Sequence, residues 1–339
     1  MLGIDTWKAL RRRGIMGINQ RNSDYLLALN NRRYYPLVDD KIRTKELALS
    51  AGLRVPDKYG VISTEQEISK LDSIAEEHRD FVIKPAQGAG GDGIMVIADR
   101  FEGFYRSVSG RIIKPEELEF HVSGIISGLY SLGGYRDKAL IEYRVHPTEL
   151  FDSISTGGVP DIRIIVIRGY PLLAMLRLPT RQSDGKANLN QGAIGVGVDI
   201  ATGTTLAGTW NNLRINHHPD TAHPVAGVHI ADWQECLELA TGFYELTDLG
   251  FLGVDLVLDK YRGPMMLELN ARPGLNIQIA NNDGMLRRAR ILEQKLAELD
   301  LESKLPPAQE RVEFAKHWFA APDPPLPVEP QQVAQSQFA

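Results

Sequence analysis

Three oxygen-bearing side chains, Asp255, Glu268 and Asn270, interrupt the otherwise apolar segment 253–274. The segment reads as two strands, GVDLVLD and PMMLELN, joined by a short polar turn, a pattern typical of a hairpin. Glu268 and Asn270 are two residues apart, so strand alternation points both side chains to one face. The sequence therefore predicts a cluster of carboxylate and amide oxygens on one face of a hairpin.

The register of this hairpin determines what chemistry the cluster supports. If Asp259 faces Pro264 across the turn, Asp255 lies opposite Glu268, and directly opposed residues are about 5 Å apart. Two adjacent carboxylates repel each other in an apolar sheet unless a cation lies between them. Because Mg²⁺ and Mn²⁺ prefer oxygen ligands, we predict that Asp255, Glu268 and Asn270 bind one of these ions. The alternative is a solvated hairpin with scattered charges, which the flanking Leu, Val and Met residues disfavour.

Cations and a glycine-rich loop accompany the predicted metal site. Arg272 follows Asn270 on the same alternation, as expected if an anion such as phosphate lies beside the metal. The short apolar strand 81–85 contains Lys84, and a lysine in a buried strand needs an anion. Four glycines follow within six positions: Gly88, Gly90, Gly91 and Gly93. They lie between two strands, which excludes a dinucleotide-binding fingerprint, and the Walker A pattern is absent. Glycines let backbone N–H groups cover a polyphosphate, although a plain flexible hairpin is the alternative for the loop alone.

Length and composition limit the function classes. The chain has 339 residues, enough for a large core and two lobes. Its formal net charge of −5 argues against a general nucleic-acid binder, because no basic surplus is available to neutralise phosphates. The single cysteine, Cys236, excludes an intramolecular disulfide framework and favours a reducing compartment. No stretch approaches 18 apolar residues, so we predict a soluble cytoplasmic protein without a transmembrane segment.

Hydrophobic periodicity and turn signals divide the chain into four parts. We predict a basic helical extension at 1–40, a small lobe with the glycine loop at 41–145, a large lobe with the metal site at 146–320, and a disordered Pro/Gln-rich tail at 321–339. Helices are predicted near 44–52 (with Thr44 as a cap), 65–78, 115–132, 231–249 and 284–300, and further strands at 139–145 and 161–180.

Two polar segments could have a binding function, but a solvent-exposed surface is the favoured interpretation of each. The arginines at 11–13 and 32–33 face an acidic substrate, membrane phospholipid or solvent, and solvent is favoured. The three histidines within 216–227 match no zinc spacing, so an ordinary surface loop is favoured.

The order of the motifs carries more information than any one of them. A lysine strand, a glycine hairpin, a strand with Glu142, a D-x-R strand at 161–163 and an Asp strand paired with an E-x-N strand follow one another. Over residues 40–300 this order resembles the ATP-grasp ligases. The segments LVDDK, DIR, KANLNQGA, GVDLVLD and LELNARPG are most similar to RimK-type α-L-glutamate ligase-like proteins. The resemblance implies an α+β ATP-grasp fold in which two lobes clasp ATP.

The resemblance assigns the phosphate and metal positions to particular residues. It implies that Lys84 and Lys41 hold the phosphates of ATP, with Lys45 as an alternative to Lys41, and that the glycine hairpin closes over them. It also implies that the oxygen cluster on the hairpin binds Mg²⁺ (or Mn²⁺).

The resemblance likewise assigns the nucleoside positions. The segment 142–145 is similar to the hinge between the lobes, where the backbone of Tyr143 and Val145 pairs with adenine and the Glu142 carboxylate takes the exocyclic amine. Glu149 stands where the family places a carboxylate for the ribose hydroxyls, with an ordinary loop carboxylate as the alternative.

The chemistry implied by the resemblance is the formation of an amide bond. The carboxylate of an acid substrate attacks the γ-phosphate, and an amine then displaces phosphate from the acyl-phosphate, so charge must be stabilised at one place. The cationic candidates are Arg163, Arg177 and Arg272, and Asn188 and Asn190 are candidates for binding the substrate carboxylate or a phosphate.

Two departures from the ATP-grasp pattern bear on this interpretation. The 40-residue extension is shorter than the α/β domain that precedes many ATP-grasp ligases. We therefore expect an open acceptor side, suited to a peptide or protein acceptor. Some relatives carry Arg two positions before the first metal Asp, where this chain has Gly253, so Arg177 or Arg163 must serve the oxyanion.

The sequence leaves three functions open. The leading one is an ATP-dependent carboxylate–amine ligase that adds glutamate or another amino acid to an acceptor. The others are a small-molecule kinase on the same fold and a nucleotide-sensing partner protein without turnover. Association into a homo-oligomer is an open alternative to a monomer, since no motif specifies it.

Overall fold

Two antiparallel sheets form the framework of the chain, for which a computed structural model describes residues 4–88, 90–298 and 305–321. The strands are β1 (Lys58–Ile62), β2 (Phe81–Pro85), β3 (Met95–Phe101), β4 (Phe104–Ser107), β5 (Ile112–Ile113), β6 (Ala139–Glu142), β7 (Asp161–Ile167), β8 (Tyr170–Leu178), β9 (Ile194–Val198), β10 (Thr205–Trp210), β11 (Leu213–Ile215), β12 (Phe251–Asp259) and β13 (Gly263–Asn270). The helices are α1 (Ile4–Arg12), α2 (Ile18–Gln20), α3 (Leu27–Leu29), α4 (Pro36–Asp39), α5 (Lys41–Ser50), α6 (Lys70–Glu77), α7 (Pro115–Ile126), α8 (Trp233–Thr247), α9 (Ile277–Asn281), α10 (Leu286–Glu298) and α11 (Ala308–Trp318).

The smaller sheet has the strand order β1-β6-β2-β3-β4-β5. Its inner face buries Phe81 and Ile83 of β2 against Val122 and Ile125 of α7. Strand β2 has the bounds that the apolar run predicted, and the glycine loop joins it to β3, as expected. This lobe therefore presents the glycine loop from the end of a fixed, buried strand.

The larger sheet has the strand order β11-β10-β9-β8-β7-β12-β13. Strands β8 and β12 are buried along their whole length. Helix α8 packs against β7, β8, β12 and β13, and α9 packs against β8, β9 and β10. Because β7 and β12 lie in the interior of the sheet, a polar side chain on either strand has neighbours on both sides.

The hairpin of β12 and β13 has the predicted register at the acidic pair but not at the turn. Asp259 pairs with Gly263, so the expected pairing with Pro264 is wrong. A β-bulge then places one extra residue, Leu267, in β13, and Asp255 nevertheless pairs with Glu268. The two deviations cancel, which is why counting along the two strands reached the right pair.

Helix α5 begins earlier than the sequence predicted. The Asp40 carboxylate accepts from the N–H groups of Ile42 and Arg43 at 2.9 and 3.3 Å, so Asp40 is the cap and Thr44 lies one turn inside the helix. The earlier start places Lys41 on the first turn, next to the glycine loop.

The extension before Lys41 forms short helices, and its described part, residues 4–40, contains no strand. It packs on the larger sheet and its helices. The N–H of Met16 donates to Gln278 at 2.8 Å, and the Asn30 amide donates to the carbonyls of Phe251 and Ala271, both at 2.8 Å. The extension is thus tied to the start of β12, to the residue that follows Asn270, and to α9.

Within the described ranges, no helix has the length and apolar character needed to cross a membrane. The predicted tail at 321–339 lies, apart from Ala321, outside the described residues. The boundaries of the four predicted parts stay predictions.

Candidate active site

The predicted metal ligands lie together on one face of the larger sheet. Asp255 is buried and pairs with Glu268 across the hairpin. The side chain of Glu268 is 35% exposed. The Asn270 amide donates to Asp255 Oδ2 at 3.2 Å. The structure therefore brings together the three residues that were singled out from sequence alone.

Two arginines from neighbouring strands hold Asp255. Arg163 is its register partner on β7 and donates from Nε and Nη2 to the two carboxylate oxygens at 2.7 and 2.6 Å. Arg177 of β8 approaches Asp255 Oδ2 at 2.8 Å. Burial raises the pKa of Asp255, but the two guanidinium groups outweigh it and lower that pKa to about 2. Protein cations therefore compensate the charge of Asp255, whereas the sequence had indicated that only a metal ion would do so.

A second buried carboxylate, Asp161, was missed as a site residue. It pairs with Arg177 across β7 and β8, and Arg177 donates to both of its oxygens, from Nη2 at 2.5 Å. Burial raises the pKa of Asp161 to about 7, opposed by Arg177 and reinforced by the nearby Asp255. The signal was in the sequence, because Asp161 is two residues from Arg163 and shares its face.

The donor set fits a small divalent cation. Asp255, Glu268 and Asn270 supply only oxygen ligands, and Asn270 turns its N–H toward Asp255, so its amide oxygen remains for a further partner. No group of three or more His, Cys, Asp or Glu side chains suited to a metal occurs in the described ranges.

Lys41 connects the glycine loop with the acidic hairpin. Its Nζ donates to the carbonyl of Gly88 at 2.6 Å and lies 3.4 Å from Glu268. One flexible side chain of α5 thus touches both the loop expected over the phosphates and the carboxylate expected at the metal. The choice of Lys41 over Lys45 for a phosphate contact stays a prediction.

Lys45 instead belongs to a buried charge group in the smaller lobe. Glu142 lies between Lys84, at 2.5 Å, and Lys45, at 2.8 Å, and all three side chains are almost fully buried. Burial raises the pKa of Glu142, but Lys84 and Lys45 outweigh it and lower it. Glu142 therefore forms ion pairs with two lysines. The sequence had predicted a contact with the adenine amine and not these ion pairs.

The hinge residues offer fewer free groups than expected. The N–H of Tyr143 donates to the carbonyl of Asp57 at 2.8 Å, and its hydroxyl lies 3.1 and 3.2 Å from the two oxygens of Asp259. The carbonyl of Tyr143 and the N–H of Val145 have no hydrogen-bond partner among the described residues, and their expected contacts with adenine stay predictions. Val145 packs with Tyr143 and Val257, so this part of the hinge is apolar.

Glu149 lies at the surface beside the hairpin turn. Its side chain is 76% exposed and forms an ion pair with Lys260 at 2.7 Å. The expected contact with ribose hydroxyls would have to replace this pair.

The glycine loop reaches the polar loop of the larger lobe. Asp92 pairs with Lys186 at 3.1 Å, and the side chain of Lys186 also packs against Gly91. Asn188 caps its own short helix by accepting from the N–H of Asn190 at 3.0 Å. The loop that carries both asparagines thus lies against the glycine loop, and Lys186 is a contact that sequence reasoning missed.

Asp161, Arg163, Arg177 and Asp255 form a charged cluster on the larger sheet, and the ion-pair partner of Arg272 is Asp39 rather than a member of this cluster. Strand β13 ends at Asn270, and the Arg272 guanidinium is half exposed, 3.7 Å from Asp39 and over the ring of Tyr35. The expectation that strand alternation continues to Arg272 is therefore wrong, because the strand stops two residues earlier.

We expect the Arg272→Gln variant to change turnover by less than about fivefold, since an exposed ion pair contributes at most about 1 kcal/mol. Steady-state rates of this variant and of Arg163→Gln, measured side by side, check this. A decrease in the steady-state rate of Arg272→Gln as large as that of Arg163→Gln would show that Arg272 takes part in the reaction.

Comparison with solved structures gives likenesses of low identity. The ATP-grasp ligase PsnB with its minimal precursor is 15% identical with a TM-score of 0.44, and the match covers 78% of this chain and 63% of PsnB. D-cycloserine synthetase DcsG is 16% identical with a TM-score of 0.45, covering 77% and 71%. The D-alanine–D-alanine ligase of Bacillus anthracis is 12% identical with a TM-score of 0.41, covering 84% and 69%. This chain thus spans less than two thirds of PsnB, and these likenesses do not indicate its substrate. No curated protein sequence matches the chain.

A family profile gives the decisive comparison. The family described as sugar-transfer associated ATP-grasp matches residues 20–294. The match confirms the expected superfamily and its α+β fold, whereas the narrower resemblance to RimK-type proteins stays a prediction. Because the matched region includes the glycine loop, the charged cluster and the acidic hairpin, the chain belongs to the sugar-transfer associated ATP-grasp family.

Proposed function

We propose that the protein is an ATP-dependent ligase that joins a carboxylic acid to an amine through an acyl-phosphate. The observation that carries this proposal is the position of Lys41, which contacts Gly88 of the glycine loop and Glu268 of the acidic hairpin at once. A site for phosphoryl transfer requires a phosphate-covering loop and an oxygen cluster for a metal at one place. In this chain one lysine side chain spans the two.

The nucleotide would lie between the two sheets. Its phosphates would meet Lys41 and the buried Lys84 beneath the glycine loop, with the ion pair to Glu142 orienting Lys84. Its base would lie against the apolar hinge, where Val145 packs with Val257. Because Val257 is two residues from Asp255 on β12, the base and the metal ligands would share one face of the sheet.

Magnesium, held by Asp255, Glu268 and Asn270, would neutralise charge on the transferred phosphoryl group. The protein's own contribution is to keep these ligands in place. Arg163 and Arg177 fix the Asp255 carboxylate from two strands, and Arg163, which is 14% exposed, also offers positive charge toward the open face. That charge would stabilise the acyl-phosphate and the oxyanion formed when the amine attacks.

The acid would bind at the polar loop of the larger lobe, and the acceptor would enter beside the extension. Asn188 and Asn190 lie on that loop beside the glycine loop and offer amide donors for a carboxylate. The described part of the extension, residues 4–40, contains only short helices, which is consistent with an acceptor side open to a large substrate. The family description, sugar-transfer associated, favours an acid or amine that belongs to a carbohydrate or its carrier, beside the amino acids and peptides expected from sequence. Because the reaction consumes ATP, we expect it in the cytoplasm.

The test is to follow ADP release while acids and amines are offered singly and in pairs, with hydroxylamine as a small surrogate amine. We expect ADP, phosphate and a hydroxamate to form only when ATP, the acid and hydroxylamine are all present. A stable phosphorylated product from a single substrate would instead identify a kinase. Nucleotide binding without turnover of any pair would favour a sensing protein.

A further inference from the structure

An open cavity of about 670 Å³ lies away from the candidate active site. It is bordered by residues 27–34 of the extension, the turn between β7 and β8 at Arg168, and the end of α8. Arg168 follows Arg163 by five residues on an extended strand, which separates the two by roughly 16 Å. The cavity is therefore a second site, and its ligand is independent of the proposed ligase function.

Three arginines line this cavity, opposed by a single carboxylate. They are Arg32, Arg33 and Arg168, and the carboxylate is Asp248. Within the described part of the chain, none of the three guanidinium groups has an ion-pair partner. Arg33 lies 4.4 Å from the centre of the Tyr34 ring and donates to the Tyr34 hydroxyl. All three residues are exposed, so their guanidinium groups are accessible to an anion that enters the cavity and would contact it by charge-assisted hydrogen bonds.

The backbone at Arg168 makes its side chain the clearest candidate for a ligand contact. Arg168 has φ 46° in a turn whose next residue is Gly169, a position where Asn, Asp or Gly is favoured. The N–H of Arg168 donates to the carbonyl of Gly250 at 2.9 Å, which fixes the backbone. Its guanidinium makes no hydrogen bond to any described residue. The fixed turn therefore presents an exposed guanidinium at the border of the cavity.

The other polar groups that line the cavity indicate which chemical groups the rest of the ligand carries. Burial raises the pKa of Tyr244, so its hydroxyl stays a donor. The carboxylate of Asp248 would repel an anion but accepts hydrogen bonds from hydroxyl groups. We propose that this cavity binds a phosphate ester of a hydroxylated compound, with the phosphate between Arg32, Arg33 and Arg168 and the hydroxyl groups toward Asp248. A soluble sugar or glycerol phosphate and a phospholipid head group share this chemistry, and Leu27, which is 68% exposed at the rim, is compatible with both.

The first test is calorimetric titration of sn-glycerol 3-phosphate into the full chain. We expect binding that weakens about tenfold or more in Arg168→Gln and in Arg32→Gln, because each loses a charge-assisted contact. The control Arg111→Gln removes an exposed arginine of the smaller lobe and should leave binding unchanged. The variant Lys84→Gln separates this site from the candidate active site. Binding that is lost in Lys84→Gln but kept in Arg168→Gln would overturn the proposal.

The second test identifies the source of the phosphate. Vesicles of phosphatidylglycerol and of phosphatidylcholine are floated with wild type and with Arg168→Gln. Retention of wild type on phosphatidylglycerol alone, lost in the variant, assigns a lipid head group. Binding of glycerol 3-phosphate without vesicle retention assigns a soluble ester. No binding to either, or vesicle retention that Arg168→Gln does not change, would refute a phosphate site here.

Discussion

Replacing Glu268 by Gln is expected to reduce ATP-dependent turnover by about a thousandfold or more, because it removes a charge on which metal binding and phosphoryl transfer rely. The fold should persist. The Glu268 side chain is 35% exposed, and the ion pair it forms with Lys41 is 3.4 Å long, so its loss alters stability little. Rates of ADP release and a thermal melt of the same preparation measure the two quantities.

The matched control for this variant is Glu46→Gln. Glu46 is an exposed carboxylate on α5 that pairs with Lys58 at 2.7 Å, outside the charged cluster. It should keep wild-type turnover, which shows that losing one surface charge is harmless. Unchanged turnover in Glu268→Gln would refute the proposed role of the oxygen cluster in metal binding and, with it, the proposed ligase reaction.

Local features of the fold were predictable from sequence because each rests on neighbours in the chain. The bounds of β2 follow from an apolar run, and the strands predicted at 161–180 are present as β7 and β8. Cap residues were less certain. Asp40 and Thr44 are both good cap residues. Asp40 caps α5, whereas the Thr44 hydroxyl donates to the carbonyls of Leu37 and Asp40 inside the helix.

The candidate site was predictable in part for the same reason. Asp255, Glu268 and Asn270 belong to one hairpin, so counting along two adjacent strands brought them together. The contacts of Asp255 with Arg163 and Arg177 depend on strand order, because β7 lies between β8 and β12. Sequence identified these arginines as cations near the reaction but assigned them to an oxyanion rather than to a carboxylate.

Residues that compete for the same partner were the hardest to assign. Lys41 and Lys45 lie one turn apart on α5, and the sequence favoured Lys41 while leaving Lys45 as an alternative. In the structure Lys41 lies beside Glu268, whereas Lys45 forms an ion pair with Glu142. Each lysine therefore contacts a carboxylate of a different sheet's lobe. Such a division is a property of the assembled lobes and not of either segment.

Replacing Arg177 by Leu is expected to destabilise the larger lobe strongly, by about 3–5 kcal/mol, because it leaves a buried carboxylate without its cation. Arg177 lies between Asp161 and Asp255, and all three are at least nine-tenths buried. Asp255 keeps Arg163 in the variant, but Asp161 loses both of its hydrogen bonds. The melting temperature should fall by roughly 5 °C or more, as differential scanning calorimetry would show.

The pH dependence of this loss distinguishes an uncompensated charge from a packing defect. In the folded wild type the pKa of Asp161 is raised to about 7, above its ordinary value of 3.8, so the folded state holds this proton more tightly than the unfolded state. Stability contributed by that proton is present at low pH and is lost as the pH rises through 7. A neutral Asp161 needs no cation, so the destabilisation by Arg177→Leu should be smaller at pH 5 than at pH 8. The double variant Arg177→Leu with Asp161→Leu removes the charge altogether and should recover most of the loss at pH 8. An equal loss at both pH values, unrecovered in the double variant, would show that Arg177 acts by filling space.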